Sequence, residues 1–501
     1  MKGGEVLRYK TCKYILTFAA LVIMTFSTTV QAIAGTIPFQ SYTYDAWLNS
    51  VPVPHSFLPY KIIRGIDLGI GHFSNPSAIF YHRQAREVYL LDSGNNRIVI
   101  MDYQMRLVDV IENLNNNGAP DSLNLPQGVF VNDTGIFVAD THNNRILVID
   151  REGNVLNEFG RPDTELISPH IVWLPRQLVV DNAGRIYVIA TGVNMGLVEL
   201  DNQGNFRNFK GANRVRVNMF QYIVRRYFST AEQRARMPLF VPTEYSGMAI
   251  DEYNFIYVTT NRGLFFDLNI DQELDVRRLN ARGDCILRRL GNKPVVGADL
   301  YTPTGLVDIA VDRNGVFSVL GRANGRIMTY DHDGNLLDVF GGLGFRKGLF
   351  QAPVALDYVE DNIVVVDSFT NSITVFRPTA YGLAMRQATY LFYLGDYVRS
   401  AEYWQIVLDH NANSDLAYIG LGRIHMRNRD YVRAMEYFRF ANARDHYSNA
   451  FSRHRRIFIQ ENFPTAATVL IVVWISLKIV FKIRKLVLGK YQEEEAYDVV
   501  E

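Results

Sequence analysis

Seven residues occur twice almost unchanged, DSGNNRI at 92–98 and DTHNNRI at 140–146, 48 positions apart. A chain that repeats itself at such a spacing stacks copies of one supersecondary unit, which restricts the fold more than any single motif does. The second copy is the fullest: LPQGVFVNDTGIFVADTHNNRILVIDREGNVLNEFG over 125–160. It reads as four short strands, with period-2 apolar alternation broken by Gly, Asn and Asp. The turn between the third and fourth strands recurs at 150–154, 201–205 and 331–335, and the first turn at 181–184 and 312–315. A proline opens each of six copies: Pro76, Pro126, Pro175, Pro242, Pro303 and Pro353.

The pattern P-x-G-x-x-V-x-D, then G-x-I-Y-V-x-D-x-x-N-x-R-I-x-V-x-D, resembles the NHL repeat over roughly 60–380. That resemblance implies a mainly β chain with a six-bladed β-propeller, each copy one four-stranded blade. YKIIRGIDLG at 60–69 is placed to complete the last blade and close the ring, leaving no sheet edge exposed. Asp92, Asn96, Arg97, Asp140, Asn144, Arg145 and Asp367 are then expected to shape loops, not to bind ligand.

Long connections on the face of these loops are where propellers tend to place binding specificity. The connection 212–240 keeps a helical apolar spacing and holds six arginines against Glu232. Arg214, Arg216, Tyr222, Arg225, Arg226, Arg234 and Arg236 are the candidate ligand-binding residues, forming a basic, aromatic lip for an anionic glycan, cell-wall polymer or protein partner. A second long connection, 281–302, holds Cys285 and the triplet RGD at 282–284, which is too short to carry an adhesion claim.

Six-bladed relatives include metal-dependent lactonases and lyases, whose sites need His and carboxylates converging from several blades. His72, His82, His142, His170 and His332 occupy no matched positions and read as surface or packing residues; Glu244 is the best channel-facing carboxylate. G-x-S-x-G and H-E-x-x-H are absent. No catalytic, cofactor or metal-binding residue is therefore assigned.

The grammar changes to period 3.6 after residue 380. GDYVRSAEYW at 395–404 returns as RDYVRAMEYF at 429–438, and this 34-residue offset resembles tetratricopeptide (TPR) repeats. The resemblance gives Tyr397 and Tyr431 structural roles and implies either a peptide-binding hairpin array or a spacer. The apolar run 463–481 is long enough for a membrane span, with Pro464 at a helix start and Lys482, Arg484, Lys485 and Lys490 favouring a cytoplasmic tail.

The basic, then apolar, N-terminus followed by Ala32-Ile33-Ala34 reads as an export signal. With Cys12 in that signal, Cys285 is left alone and no disulfide framework is available. A formal charge of +1 gives no reason to expect nucleic acid.

The expected organisation is a signal peptide (1–34), an N-terminal extension (35–59), the propeller (60–380), TPR-like helices (381–463), a membrane helix (464–484) and a cytoplasmic tail (485–501). The expected function is a single-pass, bacterial cell-surface binding or scaffold protein, with both folded regions outside the cell and a transporter or envelope complex as its setting. A metal-dependent lactonase or lyase and a TPR-based assembly factor are the alternatives.

Overall fold

The computed structural model describes residues 37–497 apart from 46, 48, 213–243, 261–275 and 288–304, with side chains described as far as residue 486. The export signal and the arginine-rich connection, with all seven of its candidate ligand-binding residues, lie outside the described residues. The chain divides into two units, 1–394 and 395–501.

The first unit is a six-bladed β-propeller. Blade 1 is built from Ala78–His82, Glu87–Asp92, Arg97–Asp102 and Leu107–Ile111, paired antiparallel in chain order. Blades 2 (128–159), 3 (175–210) and 5 (306–341) repeat this order, and blade 4 shows three described strands over 245–279. Blade 6 takes three strands from Pro353–Pro378 and its outer strand, Phe57–Ile63, from the opposite end of the propeller. Ile373 pairs with Ile63, Thr374 with Ile62 and Val375 with Lys61, so the ring closes as the 60–69 segment predicts.

Burial explains why the alternation fades in mid-blade. Each sheet is covered on both faces by its neighbours, so central strands are apolar throughout, as in Val364–Val366. Exposed strand residues gather instead in outer strands such as Leu107–Ile111 and Val155–Phe159. The core is accordingly a set of layers between blades. Leu91, Ile98, Val129 and Leu147 join blades 1 and 2, and Phe340, Phe350, Ile363 and Phe376 join blades 5 and 6. The hairpin Tyr42–Tyr44 and Ser50–Pro52 covers the outer edge of blade 5 through Tyr42 opposite Val339.

The RGD triplet lies in a blade turn and not in a long connection. The Asn280 carbonyl accepts from Gly283 N–H and Asn280 N–H donates to the Asp284 carbonyl, as Asp150 does with Gly153 and Asn154. Asn280 Oδ1 takes the amides of Arg282 and Asp284, both at 2.9 Å. In all three turns the glycine sits against the preceding blade. A Cβ on Gly153, Gly204 or Gly283 would meet Asn113 O at 2.8 Å, Phe159 Cδ1 at 2.3 Å or Gly211 N at 2.7 Å. Positive φ and close approach together require glycine there.

Helix α1, Ala380–Leu394, belongs to the propeller unit. The second unit contains α2 (Tyr397–His410), α3 (Asp415–Arg427), α4 (Tyr431–Phe440) and α5 (Arg444–Tyr497). The two DY motifs do the same work. Asp396 caps α2 through Arg399 N, and Asp430 caps α4 through Arg433 N, both at 3.2 Å. Tyr397 and Tyr431 open these helices, half-buried. Gly420 lets α3 meet Trp404, and Gly422 lets it meet Phe438.

Helix α5 is the one described helix long and apolar enough to cross a membrane, within 444–486. Pro464, expected at a helix start, lies inside this continuous helix. Residues upstream of it already hold helical geometry through their own ladder, so its missing N–H interrupts the helix without ending it.

Candidate functional site at the channel mouth

The repeated motif is a loop clamp. The Asp92 carboxylate is fully buried and accepts Ser74 N at 2.6 Å, Asn95 Nδ2 at 2.7 Å and Arg97 Nε at 2.8 Å. Asp140 repeats the set with Asn124 N, Asn143 Nδ2 and Arg145 Nε, at 2.8, 2.8 and 2.9 Å. Asp367 instead takes the amides of Gln351, Phe369 and Thr370. Asn96 and Asn144 hold left-handed φ of 52° and 56°. Asn96 Oδ1 also accepts Leu125 N of blade 2 at 2.8 Å, and Asn371 Oδ1 accepts Asn75 N of blade 1 at 2.8 Å across the ring closure.

These clamps consume the repeated arginines of the two copies. Arg97 reaches Asp92, Glu112 and the Ile70 carbonyl. Arg145 binds Asp121 bidentately at 2.8 Å on both arms while holding Asp140. Neither guanidinium has a free edge for a ligand.

The same loops, with the residues that open each inner strand, line a cavity of about 430 Å³ at one end of the central channel. All six blades contribute. Its polar lining includes Ser77, Gln127, His142, Arg176, Ser246 and Arg322, and among the described residues no Asp or Glu. Arg176 and Arg322 make no side-chain hydrogen bond or ion pair with other described residues. The cavity is therefore a cationic, hydroxyl-rich cup.

At the other end the strand-one-to-two turns line a larger cavity of about 930 Å³ that collects Asp181, Asp251, Glu252, Asp308 and Asp357. Gln177 lines both cavities and divides them, its Nε2 donating from blade 3 to Asp308 Oδ1 in blade 5 at 2.9 Å. Asp308 also accepts Leu356 N at 2.9 Å. Burial pushes the Asp308 carboxyl up to about 7, against the opposing pull of those two donors. Burial likewise raises Asp357 to about 6, although Tyr81 N and Tyr358 N donate to it.

His142, expected at the surface or in packing, lines the cationic mouth; the other four propeller histidines do not. Glu244 lines neither mouth and accepts Gly192 N–H at 3.1 Å. Among the described residues no three of His, Cys, Asp and Glu come together as a metal site. Apart from His142, the mouth residues escaped sequence reasoning because their side chains differ from copy to copy. A positional signal exists, however: Ser77, Gln127, Arg176 and Val354 each directly follow an opening proline and each line the mouth.

No protein-family model and no curated protein matches the chain. Among solved structures it is similar to virginiamycin B lyase from Staphylococcus aureus, at 9% identity and TM-score 0.36, over 68% of this chain and 87% of that one. It is also similar to a gluconolactonase from Xanthomonas campestris, at 13% and 0.40, over 65% and 97%. Kuenenia stuttgartiensis hydrazine synthase matches at 11% and 0.38, over 61% and 96%. Likenesses this remote carry no argument about chemistry.

Proposed function

We propose that this chain is a membrane-anchored binding protein that holds a ligand at the cationic mouth of an NHL-like propeller. What carries the reading is the composition of that mouth. Its described lining, drawn from all six blades, supplies hydrogen-bonding groups and the two guanidiniums of Arg176 and Arg322, which suits recognition of a polar ligand. Helix α5 serves as the single-pass anchor, the N-terminal signal directs the propeller outside the cell, and the TPR-like helices serve as spacer or partner surface.

The test is calorimetric titration of the full chain, in neutral detergent micelles, with soluble acidic and neutral sugars. Saturable binding that Gln127→Trp abolishes supports the reading. Gln127 lines the mouth half-buried, so the larger side chain fills the cup without breaking a side-chain hydrogen bond recorded in the structure. Absence of any saturable binding would overturn it.

A second reading, a metal-dependent lactonase or lyase, is favoured by one observation. His142, an imidazole of the kind that ligates metal ions, lines the mouth. Elemental mass spectrometry on the full chain, purified without chelator, decides between the two. A zinc or calcium ion retained through dialysis and lost in His142→Ala would favour the enzyme.

A further inference from the structure

We infer that the mouth selects ligands bearing a carboxylate or phosphate group, and that Arg176 and Arg322 are the residues that hold it. This deepens the binding reading above and rests on it.

Three observations lead here. First, the propeller's other channel-end arginines are spent internally. Arg97 and Arg145 are locked in the loop clamps, and Arg83 at the opposite end donates to Glu252 at 2.8 Å and to the Val311 carbonyl at 3.0 Å. Arg176 and Arg322 line one cavity, from blades 3 and 5, and neither bonds another described side chain. Two guanidinium groups brought into one cup repel each other unless an anion lies between them. Planar, forked donors of this kind match carboxylate and phosphate oxygens.

Second, the channel is polarised. Carboxylates gather in the opposite cavity, and the Gln177–Asp308 hydrogen bond separates them from the mouth. The positive charge at the mouth is therefore not cancelled by its neighbours.

Third, the remaining lining completes an anion site. The amide of Gln127 and the ring of His142 supply polar groups that bond no other described side chain, while the Ser77 hydroxyl, on the Pro126 carbonyl, and the Ser246 hydroxyl, on Thr259, brace the wall. At about 430 Å³ the cup admits a small molecule or the acidic end of a larger one, not a folded domain. Phe369, 66% exposed beside the lining residue Ser368, offers an apolar rim for whatever follows the acidic group.

The probes are D-glucuronate as a sugar carboxylate, glycerol 3-phosphate as a lipid-headgroup phosphate, and glucose as the neutral control. Each is titrated into the full chain in neutral detergent by calorimetry at low salt. We expect at least one of the two anions to bind about tenfold or more tightly than glucose, with affinity falling as salt is raised. Which anion binds better identifies the source of the acidic group.

Arg176→Gln and Arg322→Gln should each weaken anion binding about tenfold, and weaken it more than glucose binding, while leaving the melting temperature unchanged. Equal binding of glucose and both anions, abolished by Gln127→Trp, would overturn the anion inference and leave the binding reading intact. Anion binding untouched by both arginine variants would also overturn it. No binding of any probe overturns both readings.

Discussion

Arg386 of α1 places its Nη2 2.7 Å and its Nε 3.1 Å from Asp312 Oδ2 in the first turn of blade 5, and both side chains are almost wholly buried. Nη1 continues to the Asp361 carbonyl of blade 6 at 3.1 Å. One arginine thus fixes the helix that follows the ring to two adjacent blades, and Gly382 lets the helix backbone reach the Ser56 carbonyl. Removing one partner of a buried pair strands the other. Arg386→Met is expected to destabilise the propeller by about 3–5 kcal/mol, and the double variant Arg386→Met/Asp312→Leu to recover a large part of that loss. Denaturant unfolding of the single and double variants measures both.

Asp338 is fully buried on the outer strand of blade 5, and neither oxygen makes a well-formed hydrogen bond. Burial raises its carboxyl to about 6, against a smaller pull from the Ser56 and Thr329 hydroxyls. A carboxyl with a raised folded-state pKa binds its proton more tightly when folded. Its stabilising contribution is therefore complete below about pH 4 and is lost as pH rises through about 6. Asp338→Asn should leave stability at pH 4 nearly unchanged and raise it at pH 8 by up to about 3 kcal/mol. Unfolding curves at both values check the sign; a variant less stable at pH 8 would contradict it.

The loop clamp makes a separate prediction. Asp140→Ala deprives Asn124 N, Asn143 Nδ2 and Arg145 Nε of one shared acceptor. A loss of about 3 kcal/mol is expected, from buried donors left unpaired and an arginine left with its outer carboxylates alone. Hydrogen exchange should rise first in the 141–145 loop and at the blade 2–3 junction, where Thr141 Oγ1 donates to the Pro175 carbonyl at 2.7 Å.

Two glycines separate backbone strain from crowding. Gly184 and Gly204 hold similar φ, 77° and 83°, but a Cβ on Gly184 finds its nearest atom at 3.5 Å, while one on Gly204 meets the Phe159 ring at 2.3 Å. Gly184→Ala is expected to cost about 1–2 kcal/mol, the price of a left-handed alanine. Gly204→Ala should cost visibly more, because the Phe159 ring must also move. Melting temperatures of the two variants, side by side, test the ordering.

The repeat makes the architecture legible in the sequence. Strand alternation, Asp-x-x-Gly turns and six opening prolines are local signals, each tied to a backbone geometry that neighbouring residues impose. Ring closure by the 60–69 segment was legible in outline, since a blade short of one strand asks for it from the other end, but the strand itself runs Phe57–Ile63 and its bounds came only with the pairing. The RGD triplet misled because Asn280 replaces the usual aspartate, and the turn shows itself only in its hydrogen bonds. Pro464 misled because helix continuity depends on the ladder around it, which one residue does not reveal.

By itself, then, the sequence determined the blades, their number, the repeated helical motif that opens α2 and α4 and a helix able to span a bilayer, because these rest on short-range pattern and composition. Only the tertiary structure decided which arginines are spent and which are open, because that depends on contacts between residues far apart in the chain. Arg97 and Arg145 sit in the most eye-catching motif yet are bound up in clamps. Arg176 and Arg322 sit in no motif at all, and the closing of the ring brings them into one cup.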